Sequence, residues 1–493
     1  MTQSMLRRVP GWLKTAHGSF IVLAVVFGVY FVFSTPLLWG SDETSHTGRV
    51  YQITHGQILS GKIYDKTSYS HEGYGGVIPA NLRKVVDYVN IDFNANSDQK
   101  IPGIKTVDNA ADYRTFSKLP MSGSRVNYNF SNTAIYSPVS YVPAVIGLGL
   151  AQVLHLYIGP TIYMTRLFDL TFYVAAIAFL LYALRNLRLK WVIFAVALLP
   201  SALFQAATIN ADMMTNVLAF IVVGLVMKAI LSKNSLSKPE LAVLIISTLC
   251  LPVVKPSYLF LSVLALLVPG RMIPFASLGR YKKWLMPAAL VLGIIIYGLW
   301  QYKTNYLTNA VKYIIAGVVP WWQDIDSAGQ IHYVLTHPFA FLATLVRSMV
   351  INDSLYFNGL FGRIGFSFMQ VPAVAIIGSF LAMALSVLGS ERMLTVRRNL
   401  LVIAAVAVLT VLAVFGVCYL TISAVGMATI EGVQGRYFVP ILPVLLFGIA
   451  YVTKTRIDIT KLIAYRRVAV TIVCLVAVSL LATAVKYQYV IWG

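Results

Sequence analysis

The sequence predicts an all-α polytopic membrane protein with about eleven transmembrane helices. Composition is the first observation behind that prediction: 58% of the 493 residues are hydrophobic and only 12% are charged. Apolar stretches of roughly 17–25 residues recur along the chain, each long enough to cross a bilayer as a helix. A soluble multidomain protein is excluded. The second observation is where the charge sits. A net charge of +21 would suggest nucleic acid in a soluble protein, but more than half of the 39 Lys and Arg fall in six short stretches before or between apolar segments. These are Arg7, Arg8 and Lys14; Arg185, Arg188 and Lys190; Lys228, Lys233 and Lys238; Arg271, Arg280, Lys282 and Lys283; Arg392, Arg397 and Arg398; and Lys454, Arg456, Lys461, Arg466 and Arg467. Only Glu240, Glu391 and Asp458 accompany them. The positive-inside rule puts all six in the cytoplasm, so the charge reports topology and implies no nucleic-acid partner.

One shared side for six loops dictates the parity of the spans between them. Crossings near Ser19 to Trp39, Thr161 to Leu184, Trp191 to Ile209, Met213 to Leu231, Leu241 to Val254, Ser257 to Val268, Trp284 to Tyr302, Phe368 to Gly389, Leu400 to Leu420, Tyr437 to Val452 and Val468 to Ala484 satisfy it. The N-terminus is then cytoplasmic and the C-terminus outside. Pro138 to Ile158 and Phe339 to Phe357 would break the parity if they crossed. They read as interfacial or re-entrant helices on the outer face, the first punctuated by Pro143 and the second carrying Arg347 and Asp353. The short pair from Leu241 to Val268 suggests a hairpin turning near Lys255-Pro256.

This divides the chain into a cytoplasmic N-terminus and first span (1–39), a large outer loop with an interfacial helix (40–160), spans two to seven (161–302), a second outer loop with an interfacial helix (303–367) and spans eight to eleven (368–493). The first loop is too long to be structureless. Within it, Leu82 to Val89 suits a short amphipathic helix, although propensity alone equally permits a strand. Trp321 and Trp322 in the second loop could stack on sugar rings or form an interfacial belt.

The search for soluble-enzyme motifs is negative. Cys250, Cys418 and Cys474 lie in expected spans without metal-ligand spacing, and no Walker loop, dinucleotide fingerprint, His-Glu-x-x-His or Gly-x-Ser-x-Gly is present. The first apolar run has full span length and reads as a retained anchor.

What remains is a set of charges that the topology brings to the outer ends of the spans. Asp42 and Glu43 follow the first span, with His46 nearby; Asp212 follows the third; Lys255 lies at the hairpin; Arg363 precedes the eighth; Glu431 and Arg436 precede the tenth. Carboxylates can take a proton from an attacking hydroxyl or hold a divalent cation, while Lys and Arg bind phosphate oxygens. Plainer roles compete. Ser41 could cap a helix that Asp42 and Glu43 favour electrostatically; Asp212 could cap the next span; Lys255 and Arg436 could snorkel to headgroups; Arg166 and Asp169 could pair at i,i+3.

A family resemblance shifts that balance. Ser41-Asp42-Glu43-Thr44-Ser45-His46, with Arg49, Tyr51-Gln52 and Gly56, resembles the opening of a bacterial multi-pass membrane protein family of unknown function. Leu199 to Ala207 followed by Asn210-Ala211-Asp212, then Lys255-Pro256-Ser257-Tyr258, then Gly435-Arg436-Tyr437-Phe438-Val439-Pro440, are similar to its later signatures. Phe361-Gly362-Arg363-Ile364-Gly365 departs from the tryptophan-containing stretch expected there. That family in turn resembles the GT-C glycosyltransferases, which use polyprenyl-phosphate sugars. The resemblance implies a GT-C-like fold in a bacterial cytoplasmic membrane. It also implies an inverting transfer to a cell-envelope glycan on the outer face. Asp42 would be the base or acceptor-orienting group, and Glu43 a second catalytic acid that supports it or holds a cation. His46, Asp212, Gln434 and Tyr437 would be acceptor or supporting groups, and Lys255, Arg436 and Arg363 would meet the donor phosphate. Metal dependence stays open. Two other classes remain: a transporter or flippase of a lipid-linked saccharide, and a scaffold subunit of an envelope-polymer assembly.

Overall fold

In the computed structural model, which describes residues 11–97, 110–365, 369–391, 397–453, 459–461 and 463–493, the chain is mainly helical. Arg7, Arg8, Arg392, Lys454 and Arg456 of the basic stretches lie outside the described residues. The first helix, α1 (Ala16–Ser34), starts where the Thr15 hydroxyl accepts the Gly18 N–H at 3.1 Å. It ends at the largely buried loop that leads to α2 (Glu43–Thr54).

The stretch after α2 departs from the all-α expectation. Strands β1 (Gly61–Tyr64), β2 (Glu72–Pro79) and, further on, β3 (Arg125–Asn129) form an antiparallel sheet with Gly61 opposite Gly75 and Gly75 opposite Asn129. Between β2 and β3 come α3 (Ala80–Ser97) and α4 (Ala110–Ser117). The segment Leu82 to Val89 is helical: Leu82, Val85, Val86 and Val89 are buried, at the i, i+3, i+4, i+7 positions of one face. They share a core with Val50, Ile78, Tyr128 and Phe130, so the lobe is built around its own apolar centre.

After a short turn at Pro138–Tyr141 come α5 (Val142–Val153) and α6 (Ile158–Ala183), which approach closely where Gly147 faces Thr165 and Phe168. The expected crossing from Trp191 to Ile209 is broken into α7 (Lys190–Ala197) and α8 (Pro200–Ala206). Pro200 is the cause, because its ring pushes Leu199 out of the helical region, to φ −56°, ψ 139°. Helix α9 (Asp212–Leu231) then runs through the centre of the molecule, almost entirely buried. Next come α10 (Lys238–Val254), which stops at an extended Lys255, and α11 (Leu259–Val263), one of several short turns between Pro256 and Leu267.

The second half holds α12 (Leu285–Thr304), α13 (Lys312–Ile315), α14 (Ser327–Thr336), α15 (Pro338–Ile351) and α16 (Asp353–Gly362). A two-stranded ribbon of β4 (Arg363–Ile364) and β5 (Met369–Gln370) follows, then α17 (Ala373–Leu388), α18 (Arg397–Thr421), α19 (Leu442–Thr453) and α20 (Tyr465–Trp492).

Among the described residues, seven helical segments are long and apolar enough to cross a membrane: Ala16–Ser34, Ile158–Ala183, Asp212–Leu231, Ala276–Ile315, Arg397–Thr421, Gly435–Thr453 and Tyr465–Trp492. The chain is thus a polytopic membrane protein. The α14 and α15 pair, bent by 108°, would make an eighth if it crossed as one unit. The expected eleven therefore reduce to seven or eight by this measure. The difference lies in the broken α7/α8 pair, the 17-residue α10, the short turns around α11 and the 16-residue α17. At 1.5 Å per residue, α17 reaches about 24 Å, less than the roughly 30 Å of hydrocarbon.

Candidate functional site

Four of the charges expected to meet do so, in one row. Asp42 precedes α2 in a left-handed conformation (φ 55°, ψ 22°) that few non-glycine residues adopt, and its side chain makes no capping bond. Instead Oδ2 accepts from Arg436 Nη2 at 3.1 Å. Arg436 Nε lies 3.1 Å from Asp212 Oδ2, close enough for ion pairing though misaligned for a hydrogen bond. The other Asp212 oxygen takes the Lys255 ammonium. The four charges cancel. Asp42 is the open end of the row, its side chain 43% exposed against about a tenth for the other three.

Local sequence explains why the acids are free for this. Asn210 Oδ1 accepts the N–H groups of Asp212 and Met213, at 2.9 and 3.0 Å, and so caps α9 in place of Asp212. The Lys-Pro-x-Tyr and Gly-Arg-Tyr-Phe motifs are physically joined. Tyr258 donates to the Tyr437 carbonyl at 2.8 Å, and the Lys255 ammonium lies 4.4 Å from the centre of the Tyr437 ring. Gly435 brings Arg436 into place by backbone contact, since a Cβ there would meet Tyr356 O at 2.1 Å and Leu360 N at 2.4 Å of α16.

Glu43 lies apart from this row. Its Oε1 accepts from Arg166 Nε (2.7 Å) and Ile209 N (2.9 Å), and its Oε2 from Arg166 Nη2 (2.6 Å) and Gly40 N (2.7 Å). Both side chains are fully buried. Arg166 also donates to the carbonyls of Val32, Thr35 and Pro36. The pair therefore ties the end of α1 and the loop carrying Asp42 to α6, and no carboxylate oxygen is left for a substrate. Arg166 pairs with Glu43 rather than with Asp169, its expected i,i+3 partner. Arg49 and Gln52, also in the opening motif, bond the carbonyls of Tyr136, Ile58 and Gly75 and hold the sheet-bearing lobe on α2.

His46 lies behind Asp42. Its Nδ1 is 2.7 Å from the Tyr141 hydroxyl and its ring stacks on Tyr136. Burial lowers its pKa to about 4, outweighing the opposing pull of Asp42 and Asp212, with smaller help from Arg436 and Lys255. The imidazole is neutral at pH 7 and serves as a hydrogen-bonding wall. Tyr136 and Tyr141 escaped the sequence reading because no motif spacing marks aromatic residues that meet the site through the fold.

Two cavities flank the charged row. One, of about 330 Å³, is walled by apolar side chains of α12, α14 and α18, including Trp300, Ile331, Val414 and Val417, and reaches Lys255 and Tyr437. The other, of about 290 Å³, is lined by Arg363, Arg436, Gln434 and the glycines 359, 432 and 435. The three cations assigned to one phosphate are thus divided between two cavities: Lys255 lines the first, Arg363 and Arg436 the second. Glu431 is held by its backbone N–H to the Ser423 hydroxyl and lines neither.

The residues do not fit the cation role that the sequence left open for Glu43 and Asp212. Both carboxylates already face cationic side chains, and among the described residues no group of three His, Cys, Asp or Glu converges as a metal site would.

Residues 25–445 match the model of a family described as a predicted membrane protein (DUF2142). No curated protein and no solved structure matches the chain.

Proposed function

This chain belongs to the DUF2142 family of predicted membrane proteins, and we propose that it is a GT-C-type enzyme. It moves a sugar from a polyprenyl-phosphate donor to a cell-envelope glycan on the outer face of a bacterial cytoplasmic membrane. The observation that carries this reading is a single row of alternating acids and bases, open at Asp42 and set between an amphiphile-sized apolar cavity and a small cationic one. A volume near 330 Å³ falls at the lower end of ligand sites, roughly 300–1,000 Å³, enough for the polar end of an amphiphile. The resemblance drawn between the family as a whole and polyprenyl-phosphate-sugar transferases points to the same class.

The chemistry follows from the row. The donor enters the apolar cavity with its phosphate at Lys255, beside Tyr437. Asp42 takes the proton of an acceptor hydroxyl as that oxygen attacks the anomeric carbon. The bond from that carbon to the phosphate oxygen breaks, and its electron pair leaves with the polyprenyl phosphate, whose charge Lys255 stabilises. Attack opposite the leaving group inverts the anomeric configuration. Asp212 keeps Lys255 and Arg436 in place, and His46 and Gln434 border the acceptor side.

Asp42→Asn keeps the shape of the side chain and removes the base. Transfer by purified, folded protein should fall by about 10²–10⁴-fold. Undiminished transfer would remove Asp42 from the mechanism. Movement of labelled lipid between leaflets with no new glycosidic bond would replace the enzyme by a lipid-linked-saccharide transporter.

A further inference from the structure

The smaller cavity has features that a lipid-phosphate donor in the apolar cavity leaves unused. Arg363 lines it, and among the described residues its side chain has no hydrogen-bond or ion-pair partner, its main chain pairing with Gln370 in the ribbon. Arg436 lines it too. Nη2 and Nε face Asp42 and Asp212, while Nη1 is buried with no partner. Arg436 as a whole is 8% exposed, so this orphaned donor sits where desolvation is costly. No carboxylate lines the cavity, whereas three glycines do, leaving main chain rather than side chains against whatever occupies it. The Arg363 guanidinium, the Gln434 amide and the main chain at the glycines, with Arg436 against one side and no acid, suit an oxyanion.

Resting on the sugar-transfer reading, we propose that this cavity binds an anionic group of the acceptor, so that the acceptor is a phosphate- or carboxylate-bearing envelope glycan rather than a neutral one. The argument is positional. In an inverting displacement the acceptor approaches from the side opposite the leaving phosphate, within reach of the base. Asp42 is bonded to Arg436, and Arg436 lines this cavity; Lys255, at the far end of the row, lines the apolar one. The oxyanion pairs with the Arg363 guanidinium and the Gln434 amide, and it orients a hydroxyl of the same glycan toward Asp42.

Two measurements test this with the full chain in detergent. In equilibrium dialysis with inorganic phosphate, Arg363→Gln should bind about tenfold more weakly than the parent, and Arg363→Lys should recover part of the loss. The Arg363 side chain has no partner to lose among the described residues, so the variant should elute as the parent does in size-exclusion chromatography. Equal phosphate binding by parent and Arg363→Gln overturns the site. In transfer assays, the parent should prefer a phosphorylated acceptor over the same acceptor after phosphatase treatment, and Arg363→Gln should lose that preference through the acceptor KM. A rise confined to the donor KM assigns the anion to the donor and overturns the acceptor assignment. Phosphate binding that depends on Arg363 in a protein with no transferase activity would keep the anion site and sink the sugar-transfer reading instead.

Discussion

Asp42 and Glu43 are neighbours in the chain with different surroundings, and what separates them is solvent. Glu43 is wholly buried and spends both oxygens on Arg166 and two backbone N–H groups, whereas Asp42 turns outward with one contact to Arg436. The sequence could mark both acids, because a carboxylate pair at the end of an apolar span demands a partner. It could not divide them, since Arg166 lies 123 positions from Glu43 and Arg436 lies 394 from Asp42. His46 shows the same limit. Its spacing suggested a site residue, but its neutral state follows from burial beside Tyr136 and Tyr141. That state has a consequence for stability. With a folded pKa near 4 against an ordinary 6.5, the unfolded chain binds a proton between those values that the folded chain refuses. Stability is therefore full above pH 6.5 and falls as pH drops toward 4, by an amount on the order of 3 kcal/mol. The thermal midpoint of the parent should drop between pH 7 and pH 4.5 by clearly more than that of His46→Gln. Equal drops would mean that other groups govern the acid loss.

At the scale of elements, helices were legible where they are long and uninterrupted. Ile158–Ala183, Asp212–Leu231 and Arg397–Thr421 fall within a few residues of their expected spans. The sheet was not legible, because β1 has four residues and β2 reads Glu-Gly-Tyr-Gly-Gly-Val-Ile-Pro, too rich in glycine to show strand alternation. Its pairing comes from α2 and α3 packing around it rather than from local preference. The contact between α16 and the segment before α19 is another feature that only the fold reveals, and it sets Arg436. Gly435→Ala would push a Cβ into the α16 main chain, which has no rotamer to yield. The substitution should destabilise the protein by about 1–3 kcal/mol and displace Arg436 from both acids, abolishing transfer. Gly298→Ala in α12, where a Cβ meets nothing within 4 Å, provides the control and should leave both thermal midpoint and transfer essentially unchanged. Similar behaviour of the two variants would show that the close approach at Gly435 does not hold the site.

For the whole molecule, the placement of charge and the placement of the site make one joint statement about orientation. Helix α12 begins at Leu285, after Arg280, Lys282, Lys283 and the exposed Tyr281 and Trp284, and its far end carries Trp300, whose indole donates to the Ile135 carbonyl beside the apolar cavity. Twenty residues at 1.5 Å per residue extend about 30 Å, one bilayer core. The basic segment and the charged row thus stand at opposite ends of one span. No Asp or Glu occurs between Leu241 and Gln323, so nothing in that region offsets the four cations of Arg271 to Lys283. On the positive-inside rule, the proposed orientation has the basic end in the cytoplasm and the row at the outer face. In a variant with Cys250, Cys418 and Cys474 replaced by Ala, a cysteine at the exposed Lys66 of the sheet-bearing lobe should react with a membrane-impermeant maleimide in intact cells. A cysteine at the exposed Ser277 should react only after the membrane is opened. The reverse pattern would put Asp42 and its cavities in the cytoplasm, where soluble nucleotide-linked sugars would have to be considered as donors. Labelling of both positions in intact cells would mean that α12 does not separate two compartments, and the positional argument for the outer face would fail with it.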